Sequence, residues 1–379
     1  MKILVVTNDF PPRIGGIEDY VARLLSHLSP DVSVRVFAPD QPGALAYDRA
    51  FAHPVARWPG YPMLPTPGLT MAIVDLLSRD RPDVLVFGAA LPLALMSRAI
   101  RRKHDVPILA FTHGAEPTAA AVPGGAAMMR WMSRHVTAFT AVSRWAERQL
   151  RLAVGPRARV AQLPSGIDDE RFRPDVSGHS VREQYALGPG PVIVCLSRLV
   201  QRKGHDQVIR ALKGVAGEFP SVRLLIVGDG PDRPRLQRLA LREGVSDLVV
   251  LAGAVPYEHL PACLAAGDLF AMPCRSRFRG LENEGLGAVF LQAAAVGRPA
   301  IAGQSGGAPE AVLHGDTGLV VDGRSVAAVE GAILRLLRAP EEARAMGERA
   351  AARVHADMTW AQMSGRLETL LQEVVSKAV

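Results

Sequence analysis

Cysteine is almost missing: three in 379 residues, Cys195, Cys263 and Cys274. They are too few and too scattered for a disulfide framework or a zinc site, and a reduced, intracellular compartment is the expectation. Aromatics make up 5%, and no basic run interleaved with aromatic residues offers bases a stacking platform, which argues against nucleic acid as a partner. Long hydrophobic runs are missing too. The longest uncharged stretch, 58–74, contains Pro59, Pro62, Pro65 and Pro67 and cannot be a spanning helix. The first residues, MKILVVTNDF, hold only a short apolar segment ended by Asp9, unlike a signal peptide. A soluble protein, or one resting on a membrane without crossing it, is expected. There is no Asp-x-Asp pair to hold a magnesium nucleotide, no Walker loop, no Ser/His/Asp order, and no G-x-G-x-x-G after the first strand. Phosphoryl transfer, metal-dependent sugar transfer and a dinucleotide cofactor are thereby disfavoured; neither a metal nor a cofactor is expected.

What is present is ordinary globular composition, 48% apolar and 21% charged. The net charge of +7 is concentrated: residues 98–159 carry eleven Arg/Lys against Asp105, Glu116 and Glu147. Such a stretch attracts phosphate-rich partners, or is a solvated helix face. Short β-branched runs alternate with longer amphipathic ones. The strands read as Ile3–Thr7, Val32–Ala38, Val84–Gly88, Ile108–Thr112 and Ala138–Val142, with helices such as Gly16–Ser29 and Leu93–Lys103 between them. Residues 164–191, rich in Gly, Pro and charge, read as a linker. The alternation restarts with Val192–Leu196, Leu224–Val227, Leu248–Ala252, Leu269–Met272, Ala300–Ala302 and Leu319–Val321; Gly204–Ala216 and Gly285–Val296 are its clearest helices. This pattern predicts an α/β protein of two doubly wound, Rossmann-like parallel-sheet domains facing one another across a cleft. The expected boundaries are 1–170 and 171–358, with a last helix, 359–379, returning to the first domain.

Chemistry concentrates where strands end. Gly15-Gly16 sits between a strand and a helix, where backbone N–H groups can approach an anion, or where a tight turn needs positive φ. Arg198 and Lys203 flank a loop after the first strand of the second domain and suit a diphosphate, or are simple surface cations. The stretch Glu282-Asn283-Glu284-Gly285-Leu286-Gly287-Ala288 through Gln292 reads as an acidic pair opening a Gly-containing helix, with Glu284 and Gln292 eight apart on one face; a favourable helix-terminal charge is the plain alternative for Glu284. His113, after the strand Ile108–Thr112, is expected to face the cleft rather than the core, in a functional role or, as a lone histidine usually is, in a structural one. Residues 123–135, PGGAAMMRWMSRH, gather Met128, Met129, Trp131 and Met132 beside Arg130 and Arg134; Arg144, Arg148 and Arg151 then share a helix face. An apolar patch bordered by arginines suits an anionic headgroup boundary, unless the methionines and Trp131 pack inward.

Taken in order, SRLxxxKG, VGDGP, AGAVPYEHLPACLAAGDLFAMPC and the Glu–x₇ stretch resemble the retaining glycosyltransferases of family 4, which have the GT-B fold, over nearly the whole chain. TNDFPPRIGGIE, FGAALPLAL, AMPCRSR and IAGQSGGAPEAVLHGDTGLVVDGRS resemble, within that family, the actinobacterial phosphatidylinositol monomannoside mannosyltransferases, which use GDP-mannose. The resemblance implies that Gly15 and Gly16 approach the donor diphosphate from the first domain. Arg198 and Lys203 would bind it from the second. Glu284, with the backbone of Gly285, Leu286, Gly287 and Ala288, would contact the donor sugar, while His113 would hydrogen-bond the sugar near the reacting carbon and Val255 would help hold the base. It also implies a lipid acceptor, an anionic membrane surface contacted through Met128, Arg130, Trp131 and Arg134, and a cytoplasmic location, peripheral on the inner face of the membrane. The family's ribose-binding acid falls on Gln292 here, uncharged, and Ala115 stands where the His-Gly-x-Glu stretch often has a second histidine.

With no well-placed second carboxylate to act as nucleophile, the resemblance implies front-face attack, the leaving phosphate accepting the acceptor's proton. Fixed cations aimed at that phosphate stabilise the transition state more than the ground state. The competing expectations are a family 4 enzyme with another donor or a non-lipid acceptor, a nucleotide-sugar epimerase of the same fold, and a non-catalytic nucleotide-sugar-binding protein.

Overall fold

The strands are short and almost wholly apolar because both faces of each sheet are covered. The computed structural model describes residues 1–114, 116–156 and 158–376, apart from the side chains of Pro117 and Arg279. It divides into two units, Met1–Gly166 with the helix Trp360–Ser376, and Ile167–Thr359.

In the first unit, β1 (Lys2–Val6), β2 (Ser33–Pro39), β3 (Val55–Trp58), β4 (Val84–Phe87), β5 (Ile108–Ala110), β6 (Ala138–Ala141) and β7 (Val160–Gln162) form one parallel sheet, ordered β3-β2-β1-β4-β5-β6-β7. Alternate residues of β1 feed opposite layers. Leu4 and Val6 join Leu85 and Phe87 in one core, and Ile3 and Val5 join Val84 and Val86 in the other. An uninterrupted apolar run is the outcome. The helix Trp360–Ser376 contributes Trp360, Met363, Leu367, Leu371 and Val374 to the second of these cores.

In the second unit, β8 (Val192–Leu196), β9 (Arg223–Val227), β10 (Val249–Gly253), β11 (Leu269–Met272), β12 (Ala300–Gly303) and β13 (Gly318–Val321) form a parallel sheet ordered β10-β9-β8-β11-β12-β13. In each sheet the order reverses once, between β1 and β4 and between β8 and β11. Open α/β sheets bind ligands at such points, outside the carboxyl ends of the strands.

Several expectations need correction. Strands β3 and β7 are additional to those read from the sequence. Leu93–Lys103 is not one helix but a 3₁₀ turn, Leu93–Met96, followed by the short helix Ser97–Arg101. The stretch 164–191 is not a free linker. From Ile167 onward it packs on the second unit, with Phe172 fully buried and Arg182 bonded to Asp268 at 2.9 Å and to the Ala266 carbonyl at 2.8 Å. Glycine, proline and charge there mark an irregular but packed segment.

The helix Trp360–Ser376 is held where Trp360, 3% exposed, meets the Tyr20 ring at a centroid separation of 5.8 Å. A Cβ on Gly166 would fall 2.7 Å from its indole. Trp360→Ala should therefore cost about 3–5 kcal/mol, the range for truncating a buried large aromatic. The check is the urea midpoint of the first transition; a midpoint within error of the parent protein would show that the helix does not complete the core.

Candidate functional site

In the second unit the chain leaves β8 through Ser197–Val200, makes a 3₁₀ turn over Gln201–Lys203, and enters the helix His205–Glu218. The turn aims Arg202 and Lys203 at one acceptor. Lys203 is buried, and its Nζ donates to Glu284 Oε2 at 2.7 Å. The Arg202 guanidinium donates to the same oxygen and lies 3.8 Å from Glu282. Arg198 is exposed and forms no ion pair with a described residue.

Glu284 is 7% exposed, and its backbone N–H donates to Ser305 Oγ at 3.2 Å. Burial alone would push its carboxyl up, but the Lys203 and Arg202 charges and their hydrogen bonds outweigh that and hold it below the usual carboxylate range. Removing one partner from such a buried cluster costs about 3–5 kcal/mol. Arg202, absent from the residues singled out in the sequence, is thus as much part of the cluster as Lys203. Its adjacency to Lys203, directly before a glycine, was the available signal.

Glu284 does not open a helix. The helix begins at Ala288, capped by Gly287 at φ 85°, a left-handed conformation that disfavours any side chain. The eight-residue spacing therefore does not put Glu284 and Gln292 on one helix face; Glu284 sits in the preceding loop and Gln292 in the helix Ala288–Ala295. Leu286 is buried, and Val255, after β10, is half-buried.

In the first unit, Gly15 caps the helix Gly16–Ser26 with φ −179°, ordinary extended backbone, so the pair does not mark a positive-φ turn. A Cβ on Gly15 would fall 2.1 Å from the Glu18 carboxylate, whereas one on Gly16 would meet nothing within 4 Å. Glu18, buried and paired with Arg13 at 3.2 Å, therefore folds back over this helix start; the sequence reading did not single it out. Burial, then the Glu18 charge, raises the neighbouring Asp9 carboxyl.

His113 follows β5. It is not simply aimed outward: its ring packs edge-on to Tyr20 at 5.3 Å, and Nε2 lies 2.7 Å from the Gly88 carbonyl at the end of β4. Since a carbonyl only accepts, Nε2 carries the proton and Nδ1 is left as an acceptor. Desolvation pushes the imidazole pKa down to about 4. Ala115 lies outside the described residues. Among the described residues there is no group of three or more His, Cys, Asp or Glu able to hold a metal, and no helix long and apolar enough to cross a membrane.

The patch at 123–135 is rearranged relative to expectation. In the helix Gly125–Ser133, Met129 and Met132 are fully buried in the core, and Trp131 packs partly buried against it. Met128 is half-buried; Arg130 and Arg134 are exposed. Partial burial, and then the charges of Arg98, Arg101, Arg134 and Arg102, lower the His135 pKa, so these arginines converge on one side of the unit. Arg144, Arg148 and Arg151 are exposed on the helix Arg144–Val154, next to Leu152, which is 73% exposed.

Comparison with known proteins follows these two units. Residues 14–171 match the profile of Glycosyltransferase Family 4, and residues 180–353 that of Glycosyl transferases group 1. A Mycolicibacterium smegmatis protein named GDP-mannose-dependent alpha-(1-6)-phosphatidylinositol monomannoside mannosyltransferase is 43% identical over 97% of this chain and 98% of its own. A Corynebacterium glutamicum protein, named as the corresponding enzyme for monoacylated phosphatidylinositol monomannoside, is 41% identical over 98% of both chains. Among solved structures, Anabaena HepE in complex with UDP and glucose superposes with a TM-score of 0.82 at 20% identity, covering 98% of this chain and all of that one. A sucrose-phosphate synthase from Thermosynechococcus elongatus gives 0.82 at 20% identity, covering 99% of each chain. At that identity these two structures speak for the fold alone.

His113 and His205 both have pKa values of about 4, each chiefly through desolvation, against 6.5 when free. Between those values the unfolded chain binds more protons, so stability rises with pH from about 4 to 6.5 and levels above it. Urea midpoints from pH 4.5 to 7.5 should follow that course, and His113→Gln or His205→Asn should flatten it. A midpoint that is level across the range would contradict the neutral, desolvated state of both rings.

Proposed function

The chain belongs to glycosyltransferase family 4, alongside the actinobacterial phosphatidylinositol monomannoside mannosyltransferases, and from that premise we propose that it transfers mannose from GDP-mannose to a phosphatidylinositol mannoside, forming an alpha-1,6 linkage with retention. The observation that carries this is the Lys203–Glu284–Arg202 cluster at the point where the second sheet reverses its order, in a chain more than 40% identical end to end to proteins named for that reaction. The epimerase reading has no such support.

In this reading the bond between the anomeric carbon and the diphosphate breaks, and its electron pair leaves with the phosphate oxygen. Lys203 and Arg198 stabilise the charge that accumulates there, in a setting where fixed donors act more strongly than water. Glu284, held by two cations, is a weak nucleophile and serves as acceptor for donor-sugar hydroxyls. The acceptor hydroxyl then attacks from the face the phosphate leaves, giving up its proton to a departing phosphate oxygen. The products are GDP and the mannosylated lipid. His113 Nδ1, proton-free above about pH 4, accepts a hydrogen bond from the sugar. Gly15 and Gly16 lie beside the diphosphate, Val255 beside the base and Gln292 beside the ribose, where an amide substitutes for a carboxylate. No metal enters the scheme, since the cations take the part of one.

Purified protein given GDP-mannose and a phosphatidylinositol mannoside should release GDP and yield a lipid one hexose heavier, unaffected by a chelator. Arg198→Ala and Lys203→Ala should each lower turnover about 10²–10³-fold, the scale for one preorganised donor. No product, or an Arg198→Ala enzyme with near-normal kcat, would overturn the assignment.

A lipid acceptor keeps its acyl chains in the bilayer, and the proposal places the protein on the inner face of the membrane through the basic side of its first unit. Arg130 and Arg134 border it with Met128 and the half-buried Trp131, while Val122 and Leu152, 55% and 73% exposed, supply apolar surface in place of Met129 and Met132. Each cation near an anionic surface contributes about 1 kcal/mol, screened by salt. Arg130→Ala with Arg134→Ala should weaken co-sedimentation with vesicles containing phosphatidylinositol at low salt while GDP affinity is kept. Equal binding to neutral and anionic vesicles would remove electrostatic docking.

A further inference from the structure

Beside the Glu284 cluster, and unused by it, an open cavity of about 480 Å³ is lined by Gln207, Arg275, Ser276, Arg277, Phe278 and Arg324. Three guanidinium groups line it and no carboxylate does. Two nearby carboxylates pair with lining arginines and a third takes the Arg324 backbone, which leaves Arg324 as the guanidinium without a carboxylate partner among the described residues. Asp206 accepts from Arg275 Nη2 at 2.9 Å, Glu282 from Arg277 at 3.2 Å, and Asp322 from the Arg324 backbone N–H at 2.9 Å.

The arginines are positioned by the fold. Gly323 lets the loop after β13 lie on the backbone after β11, because a Cβ there would fall 2.4 Å from the Pro273 carbonyl oxygen. That approach carries Arg324 Nη2 to within 2.7 Å of the Ser276 carbonyl. Arg277 lies over the Phe278 ring at 4.7 Å, which restrains its plane. Phe278 itself is 65% exposed.

Two buried polar atoms of the lining lack partners among the described residues: Gln207 Oε1 and Arg275 Nη1. Gln207 is 7% exposed. An orphaned buried polar atom is costly unless something satisfies it. The two ask for different things: Arg275 Nη1 needs an acceptor, and Gln207 Oε1 needs a donor. A bare anion satisfies only the arginine. A phosphate ester of a polyol satisfies both, its phosphate accepting from the guanidinium groups and a ring or chain hydroxyl donating to Gln207.

We propose that this cavity is a polyol-phosphate subsite, separate from the donor diphosphate, formed by Arg275, Arg277, Arg324 and Gln207. It adjoins the donor cluster. The Arg275 backbone N–H donates to the Arg202 carbonyl at 2.8 Å, and Ser276 Oγ lies 3.3 Å from Ser305 Oγ, which accepts from the Glu284 N–H. The choice of inositol as the polyol rests on the function proposed above; the phosphate-plus-hydroxyl chemistry does not. The ligand arrives either as a lipid headgroup or as a free ester.

The test is calorimetric titration of the full chain, saturated with GDP, with myo-inositol 1-phosphate and with inorganic phosphate, alongside co-sedimentation with phosphatidylcholine vesicles with and without phosphatidylinositol. Inositol phosphate should bind more tightly than phosphate. Arg277→Gln with Arg324→Gln should lose tenfold or more for both ligands, and Gln207→Leu should lose affinity for inositol phosphate alone. GDP affinity, which reports a folded second unit, should hold throughout. Binding of the soluble ester together with weakened vesicle binding in the arginine variant supports a headgroup site, and binding of the ester with unchanged vesicle binding supports a site for a free ester. Inositol phosphate affinity that the arginine variant leaves intact, or no binding of it while GDP still binds, overturns the subsite. None of these readouts uses sugar transfer, so a protein that binds the ester but transfers no mannose refutes only the function above.

Discussion

A parallel strand can be followed by another only if the chain first crosses back over a face of the sheet. Every strand therefore ends on the same edge, and every crossover helix starts there. In both units this rule collects the loops after the strands along one edge, and the single reversal of strand order opens a gap among them. The loops after β8 and β11 meet at that gap. Nothing in the local sequence near Lys203 refers to Glu284, eighty-one residues on; the winding of the sheet brings them together. In the first unit, the corresponding edge of its own sheet carries Gly15 after β1, Gly88 after β4 and His113 after β5.

The cluster itself is a balance of burial against pairing. A carboxylate as enclosed as Glu284 is expensive unless cations face it, and a lysine as enclosed as Lys203 is expensive for the same reason. Each makes the other tolerable, and Arg202 adds a second donor to the same oxygen. The arrangement holds three charged groups together inside a loop region, and leaves Arg198 exposed at the mouth of the turn.

Most of the strands, the two-unit division and the residues at the strand ends could be read from apolar runs alternating with amphipathic ones, since fully covered parallel strands leave an unbroken apolar signature. What escaped reading depended on tertiary context. Strand β3, Val-Ala-Arg-Trp, contains Arg57, which bonds Asp48 and the Pro39 and Pro11 carbonyls instead of solvent. Met129 and Met132 differ from Met128 only in phase around a helix, and phase is set by where the core lies. Glu284 read as helical because Gly287 was counted inside the helix rather than as its cap. Arg202 looked like one more surface cation until its partner was placed.

The helix Trp360–Ser376 is separated in the chain from the core it completes by the whole of the second unit. Chain emerging from a ribosome meets that order in time. While residues 167–359 are being made, the first sheet has one apolar face without its final cover, and the second unit has all its own strands before the first is finished. The later unit can thus reach its folded state first, and the earlier one must stay soluble with Tyr20 and Leu24 uncovered until the helix Trp360–Ser376 is free to pack. For this chain the order of synthesis and the order of completion run in opposite directions, and a chain released early would lose the first unit while sparing the second.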